Sequence, residues 1–141
     1  SNGSAAQKRM AQDALNRTLA YMADRKAFGR SINSFQALQF RLADMEIELQ
    51  AARVFLRQAA WRLDQGKPDA TKHCAMAKRF VTDIAFRVAN EALQLHGGYG
   101  YLADYGIEKT VRDLRVHQIL EGTNEIMRLI VARSLLAEHA A

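Results

Sequence analysis

One carboxylate stands out in the sequence as a candidate general base. Glu121 follows the apolar pair Ile119-Leu120 and precedes Gly122 and Thr123, and Thr is a residue type that caps helix N-termini. Desolvation by apolar neighbours would raise the pKa of this carboxyl and make it a stronger base once ionised. On spacing alone, the commoner explanation is a carboxylate that is stabilised by the positive end of the next helix.

A glycine-rich segment and two arginines are candidates for binding an anionic ligand. The run His96-Gly97-Gly98-Tyr99-Gly100 follows no strand signal and lacks the lysine of a phosphate-binding loop. It indicates either a helix C-cap, the commoner case, or close approach of a ligand to the backbone. Arg25 and Arg133 could pair with an anion, although completing a helix dipole or covering apolar surface would also explain them.

The composition excludes several other classes of site. The four histidines show no metal-ligand spacing, and no Ser/His/Asp set can be assembled. The net charge of +5 and the pI of about 9.7 would suit a nucleic acid, an anionic membrane or a phosphorylated ligand. Because Lys and Arg are dispersed among acidic residues, the favoured explanation of the positive charge is a solvated mixed-charge surface. Binding of a phosphate-bearing ligand is the second explanation. No apolar run is long enough to span a bilayer. We therefore expect no metal, no nucleic-acid partner and no membrane partner.

Four clusters of Gly and Pro divide the chain into helices. They predict long helices over roughly 5–27, 34–65, 69–96 and 123–139, with a shorter helix near 106–115. No segment alternates apolar and polar residues as a strand would. The predicted fold class is all-α, an up-down four-helix bundle that forms one domain over 1–141. The single cysteine, Cys74, allows no intrachain disulfide and is interpreted as a small core residue.

The second helix carries two apolar rows. One row follows 3-4 spacing from Phe35 to Leu63 and fits the core of a bundle. The other row, which we call the heptad row, consists of Phe40, Ile47, Val54 and Trp61 and lies nearly opposite. Since a bundle helix needs one buried stripe, the heptad row predicts contact with another domain or subunit.

These motifs together resemble those of the acyl-CoA dehydrogenases. Tyr21–Gly29 resembles their Y-x-x-x-R-x-x-F-G signature, and Gln94–Tyr101 resembles their Q-x-x-G-G-x-G-[YF] loop. Arg112-Asp113 and Glu121–Ile126 are similar to their R-D and E-G-T-x-E-I segments. The match covers nearly the whole chain. Each motif alone is a weak signal, but all of them in consistent order and spacing are a strong one.

The resemblance implies that this chain is the C-terminal helical domain of a larger three-domain flavoenzyme that binds FAD between subunits. The residues expected at the adenine and pyrophosphate end, from the neighbouring subunit, are Arg25, Phe28, Gln36, Gln94, Leu95 and Gly98. Thr123 and Glu125 are expected to contact FAD from the other side. The implied assembly is a homodimer or homotetramer built through the bundle.

The implied reaction is α,β-dehydrogenation of an acyl-CoA thioester to the enoyl-CoA, in fatty acid or branched-chain amino acid catabolism. Glu121 would remove the α-proton, while its backbone N–H and a flavin ribityl hydroxyl polarise the thioester carbonyl. Gly122 and Arg133 are expected on the substrate side. An electron-transferring flavoprotein would accept the electrons.

The run from Leu93 to Arg128 most resembles short- or branched-chain members of the isobutyryl-CoA dehydrogenase type, although Leu120 and Phe35 leave the chain-length preference open. The expected location is the cytoplasm of a bacterium or the mitochondrial matrix. The chain shows no targeting segment, and residues 1–4 are expected to be partly vector-derived. Two other hypotheses remain: a non-catalytic helical oligomerisation or binding module, and a nucleic-acid-binding flavoprotein relative, which the dispersed charge and the intact Glu121 disfavour.

Overall fold

A computed structural model of the chain describes residues 2–24, 26–27, 30–31, 34–97, 106–120 and 124–140. In chain order the elements are α1 (Asn2–Asp24), β1 (Lys26–Ala27), β2 (Arg30–Ser31), α2 (Gln36–Asp64), α3 (Ala70–His96), α4 (Ile107–Leu120) and α5 (Asn124–Ala140). The predicted all-α class is confirmed, with the four long helices and the shorter one in the predicted order. None of the described helices combines the length and the apolar character that crossing a membrane requires.

Three boundaries differ from those predicted by three residues or more, and the first is that α1 begins at Asn2 instead of near residue 5. α1 ends at Asp24, three residues early, and a two-residue antiparallel ladder follows in which Lys26 pairs with Ser31 and Ala27 with Arg30. A strand of two residues is too short to show an alternation of apolar and polar residues, so the sequence did not predict this ladder. α4 runs to Leu120 instead of about 115, because neither Gly nor Pro interrupts it before Gly122.

α3 is the central helix, and its small residues let its neighbours approach closely. Val81, Val88 and Ala89 on α3 have no exposed surface. Leu49 of α2 and Leu114 of α4 are buried in the same core cluster. Burying each of the larger side chains contributes about 1.5–3 kcal/mol as an upper-end value.

α1 runs parallel to α3. Near the start of α1, the Thr82 hydroxyl donates to Gln7 Oε1 at 2.9 Å, and both side chains are buried. Near its end, Thr18 lies 3.5 Å from the ring of His96. Since residue numbers rise together along both helices, α1 and α3 run in the same direction.

α2 runs antiparallel to α3. Arg62 and Asp69 form an ion pair at the turn that joins them (2.9 Å), and Arg87 pairs with Glu48 farther along (2.6 Å). Burial raises the pKa of the Asp69 carboxyl, but the Arg62 hydrogen bonds and charge outweigh it and hold that pKa below its usual range. This ion pair therefore closes the α2–α3 turn.

α5 is also antiparallel to α3. Lys72, near the start of α3, donates to Glu138 near the end of α5 at 2.6 Å. The Lys72 ammonium lowers the pKa of the Glu138 carboxyl. The order α1 up, α2 down, α3 up and α5 down is the predicted up-down arrangement, with α4 packed against α3 and α1.

The heptad row lies outside the bundle. Phe40, Ile47, Val54 and Trp61 are 61%, 64%, 64% and 51% exposed, whereas Met45, Leu49 and Ala52 on the opposite face are buried. The predicted separation of the two rows is thus confirmed. The core row fails only at its last member: Leu63 is 61% exposed, because it lies in the final turn of α2, at the edge of the bundle.

Replacing one residue on each face of α2 measures this difference. Leu49→Ala should lower the free energy of unfolding by about 2–5 kcal/mol, because it leaves a cavity in the core. The matched control Ile47→Ala should stay within about 0.5 kcal/mol of the parent in urea unfolding at low protein concentration. Equal losses in the two variants would contradict the assignment of faces.

Candidate functional site

Three segments that carry predicted cofactor residues meet at one end of the bundle. The rings of Tyr21 on α1 and His96 on α3 stack with centroids 4.4 Å apart. Arg41 on α2 forms an ion pair with Glu91 on α3. The end of α1, the start of α2 and the end of α3 therefore lie together.

The end of α3 offers an open, polar depression. A cavity of about 260 Å³ there is lined by Asn90, Leu93, Gln94 and Gly97. Gly97 has φ 58 and ψ −140, a conformation that favours glycine, and its N–H bonds to the carbonyl of Gln94. A Cβ added at Gly97 would meet nothing within 4 Å. The glycine is thus a helix C-cap that also leaves room for a ligand against the backbone.

The start of α2 contributes a helix N-terminus to the same end. Gln36 is its first residue and is exposed, five residues before Arg41. No acidic residue occupies the first turn of α2, so the positive end of its dipole is not neutralised from within the helix. Such an end attracts phosphate groups.

A buried polar network joins α1 to α3 beside this depression. His96 is 2% exposed, and its Nδ1 lies 2.9 Å from the carbonyl oxygen of Ala92. Tyr21 donates its hydroxyl to the carbonyl of His96 at 3.3 Å. The sequence analysis treated His96 as part of the glycine-rich segment and Tyr21 as a motif residue. It did not relate them, because no spacing rule connects positions 75 residues apart.

Glu125 and Arg133, the predicted site residues described on α5, do not line this depression. Glu125 and Arg133 are both exposed. Because α5 runs antiparallel to α3, Glu125 at its start lies toward the end of α3 and away from the Lys72–Glu138 pair. Leu95 lies near the end of α3 but packs its side chain against the core, so its backbone is the part available to a ligand.

Six predicted site residues lie outside the described residues: Arg25, Phe28, Gly98, Glu121, Gly122 and Thr123. Along the chain, Arg25 directly follows α1, and Gly98 follows Gly97. Glu121 belongs to the three-residue link between the end of α4 and the start of α5.

A larger cavity of about 520 Å³ lies between α2, α3 and α5. Its polar lining includes Arg79, Asp83, Arg87 and Arg128, and its apolar lining includes Phe80. None of the described residues that line it is a predicted site residue, so its size does not make it the candidate site. The described part of the chain holds no group of three His, Cys, Asp or Glu residues that could bind a metal ion.

Comparison with known proteins gives one consistent result. Residues 3–136 match the family model described as "Acyl-CoA dehydrogenase, C-terminal domain". Mitochondrial isobutyryl-CoA dehydrogenase of Bos taurus is 53% identical over 118 residues, which are 84% of this chain and 28% of that protein.

Two solved structures share the fold. Butyryl-CoA dehydrogenase from Megasphaera elsdenii superposes with a TM-score of 0.89 at 38% identity, over 94% of this chain and 34% of that one. A structure described as an FAD complex of PigA has a TM-score of 0.88 at 32% identity, over 94% and 34%. The chain therefore spans about a third of the length of the proteins it matches.

The conformation of Gly97 is testable without any ligand. Gly97→Ala should lower the free energy of unfolding by about 1–3 kcal/mol, because a Cβ strains this backbone even where space is open. Asn90→Ala changes an exposed residue of the same depression and should stay within about 0.5 kcal/mol. An unchanged urea midpoint for Gly97→Ala would show that the chain does not leave α3 in this conformation.

Proposed function

Because the chain belongs to the acyl-CoA dehydrogenase family, which it matches through the C-terminal domain, we propose that it is the C-terminal domain of an FAD-dependent acyl-CoA dehydrogenase. Residues 1–141 would form one bundle domain of a three-domain enzyme. The observation that carries this proposal is the gathering of the α1, α2 and α3 ends, with Gln36 and Gln94, at one end of the bundle.

The residues at this end fit the adenine and pyrophosphate end of FAD. The α2 N-terminus suits a pyrophosphate, and the exposed Gln94 amide can both donate to and accept from an adenine ring. The open space beside Gly97 admits a ligand close to the backbone. Arg25, Phe28 and Gly98 adjoin these segments in the chain and complete the proposed set. The FAD complex of a relative with the same fold supports this assignment.

Glu121 is the proposed base. Its carboxylate would break the C–H bond at the α-carbon of the acyl thioester and keep the proton, while its backbone N–H would donate to the thioester carbonyl. FAD, when bound, accepts the β-hydrogen as hydride, which completes the enoyl-CoA. Gly122 and Arg133 would face the substrate, and Thr123 and Glu125 would contact FAD from the side opposite Gln94.

A second subunit is part of this proposal. Glu125 is proposed to contact FAD from the side opposite Gln94, and it does not line the depression that Gln94 lines. A homodimer or homotetramer places the α5 start of one subunit against the α3 end of its neighbour. The exposed heptad row on α2 offers an apolar surface for that assembly.

Short or branched acyl-CoA thioesters are the proposed substrates. The 53% identity to isobutyryl-CoA dehydrogenase and the shared fold with butyryl-CoA dehydrogenase support that size class. An electron-transferring flavoprotein is the proposed electron acceptor. The proposed location is the bacterial cytoplasm or the mitochondrial matrix.

The 141-residue chain alone is expected to show little or no dehydrogenase activity, because its relatives are about three times as long. The heptad row also favours a second role for the isolated bundle, as a module that associates with another helical surface. Turnover of isobutyryl-CoA by the purified chain would contradict the first statement.

Replacing the proposed base separates chemistry from cofactor binding. In the enzyme carrying all three domains, Glu121→Gln should lower turnover of isobutyryl-CoA by about 10²–10⁴-fold and leave the FAD content unchanged, because only proton removal is lost. Glu108→Gln, which breaks a surface ion pair with Arg112, serves as the matched control with parental turnover. A Glu121→Gln enzyme with near-parental turnover would rule this base out.

Charges in the heptad row test the assembly. The double variant Ile47→Glu, Val54→Glu should raise the dissociation constant of the oligomer by at least about 100-fold, because each charge prevents burial of apolar surface. Leu136→Glu, at a residue 71% exposed on α5, is the control and should leave the assembly intact. Sedimentation velocity over a dilution series measures both. Dissociation of the Leu136→Glu control alone would assign the interface to α5 instead of α2.

A further inference from the structure

We propose that the Tyr21–His96 pair is a positioning element that holds the end of α1 and the end of α3, which lead into the two proposed flavin-binding segments, in a fixed relation. The inference rests on the proposed FAD site and adds residues that are not themselves ligands. Tyr21 stands four residues before Arg25, and His96 stands two residues before Gly98. A single contact thus joins segments that are 75 residues apart in the chain.

The contact fixes both orientation and distance. The rings stack at 4.4 Å with an angle of 26° between planes, an arrangement that favours one relative rotation of the helices. Since the carbonyl of Ala92 can only accept, the His96 Nδ1 atom 2.9 Å away carries the proton. Thr18 donates its hydroxyl to Ala14 O at 2.8 Å, so its oxygen faces Nδ1 as a second acceptor, 3.5 Å away. The imidazole is therefore held on its own helix while its face meets α1.

The hydroxyl of Tyr21 acts on the backbone where α3 ends. It donates to the carbonyl of His96, the last residue of the helix. The next residue, Gly97, turns the chain with φ 58. The direction in which the chain leaves α3 is consequently set from α1, and a shift of the α1 end would move the backbone beside Gln94.

A second bridge shows that this pair is not required merely to hold the helices together. Thr82 donates to Gln7 at 2.9 Å, also across α1 and α3 and also over 75 residues. It lies 14 residues farther back on each helix, about 21 Å from the Tyr21–His96 pair. Its removal should weaken the same helix pair without moving the proposed site, which makes it a matched control.

The experiment compares Tyr21→Leu, Tyr21→Phe and the control Thr82→Val in the enzyme carrying all three domains, prepared without bound flavin. Titration calorimetry measures the binding of FAD and of ADP, which lacks the flavin ring. Hydrogen exchange reports on the last turn of α3, and thermal unfolding reports on global stability. Tyr21→Leu should weaken binding and speed exchange in that turn by about 10-fold each, because stacking and the hydrogen bond are both lost. Tyr21→Phe keeps the stacking and should rescue most of the loss, to within about 3-fold of the parent.

Thr82→Val should lower the melting temperature but leave FAD and ADP affinity, and exchange in the last turn of α3, at parental values. Binding losses that follow melting temperature equally in all three variants would overturn the positioning role. If Gln94→Ala weakens binding while Tyr21→Leu does not, the FAD site stands and the inference fails. If the parent enzyme binds neither compound, the FAD role of these segments fails. Exchange then decides the pairing: faster exchange in Tyr21→Leu supports it, and unchanged exchange overturns it.

Discussion

Close packing around α3 is the constraint on which the rest of the structure depends. Alanines on α3 (Ala75, Ala77, Ala85, Ala89 and Ala92) are buried together with Val81 and Val88, so neighbouring backbones approach α3 on several sides. Because α1 is parallel to α3 and α2 is antiparallel to it, the end of α1 and the start of α2 both reach the end of α3. The directions and register of these three helices therefore bring the segments of the candidate site together.

Helix positions and the two faces of α2 could be predicted from the sequence because both depend on local signals. Gly and Pro clusters end helices, and apolar spacing separates Leu49 from Ile47. The ladder after Asp24 could not be predicted, since two residues do not display a pattern. The Tyr21–His96 contact was also missed, because it depends on the register between two helices, which no local rule supplies.

The distribution of polar groups separates structural from functional roles in this bundle. The Arg62–Asp69 and Lys72–Glu138 pairs lie at the end of the bundle remote from Gln94, where they fasten the α2–α3 turn and the tail of α5. Near Gln94 the partly exposed Arg41–Glu91 pair joins α2 to α3, and exposed amides, a helix N-terminus and a glycine turn lie beside it. A helix N-terminus binds a phosphorylated ligand through backbone N–H groups, without the desolvation cost of burying a paired charge.

The seven-residue spacing of the row on α2 also determines the geometry of whatever packs against it. Because an α-helix has 3.6 residues per turn, a strict heptad drifts by about 20° for every seven residues. From Phe40 to Trp61 the row turns by about 60° around the axis of α2 over roughly 31 Å. A straight helix laid parallel to α2 would lose contact before reaching both ends. A helical partner must instead wrap with a left-handed supercoil, crossing at about 20° as in a coiled coil.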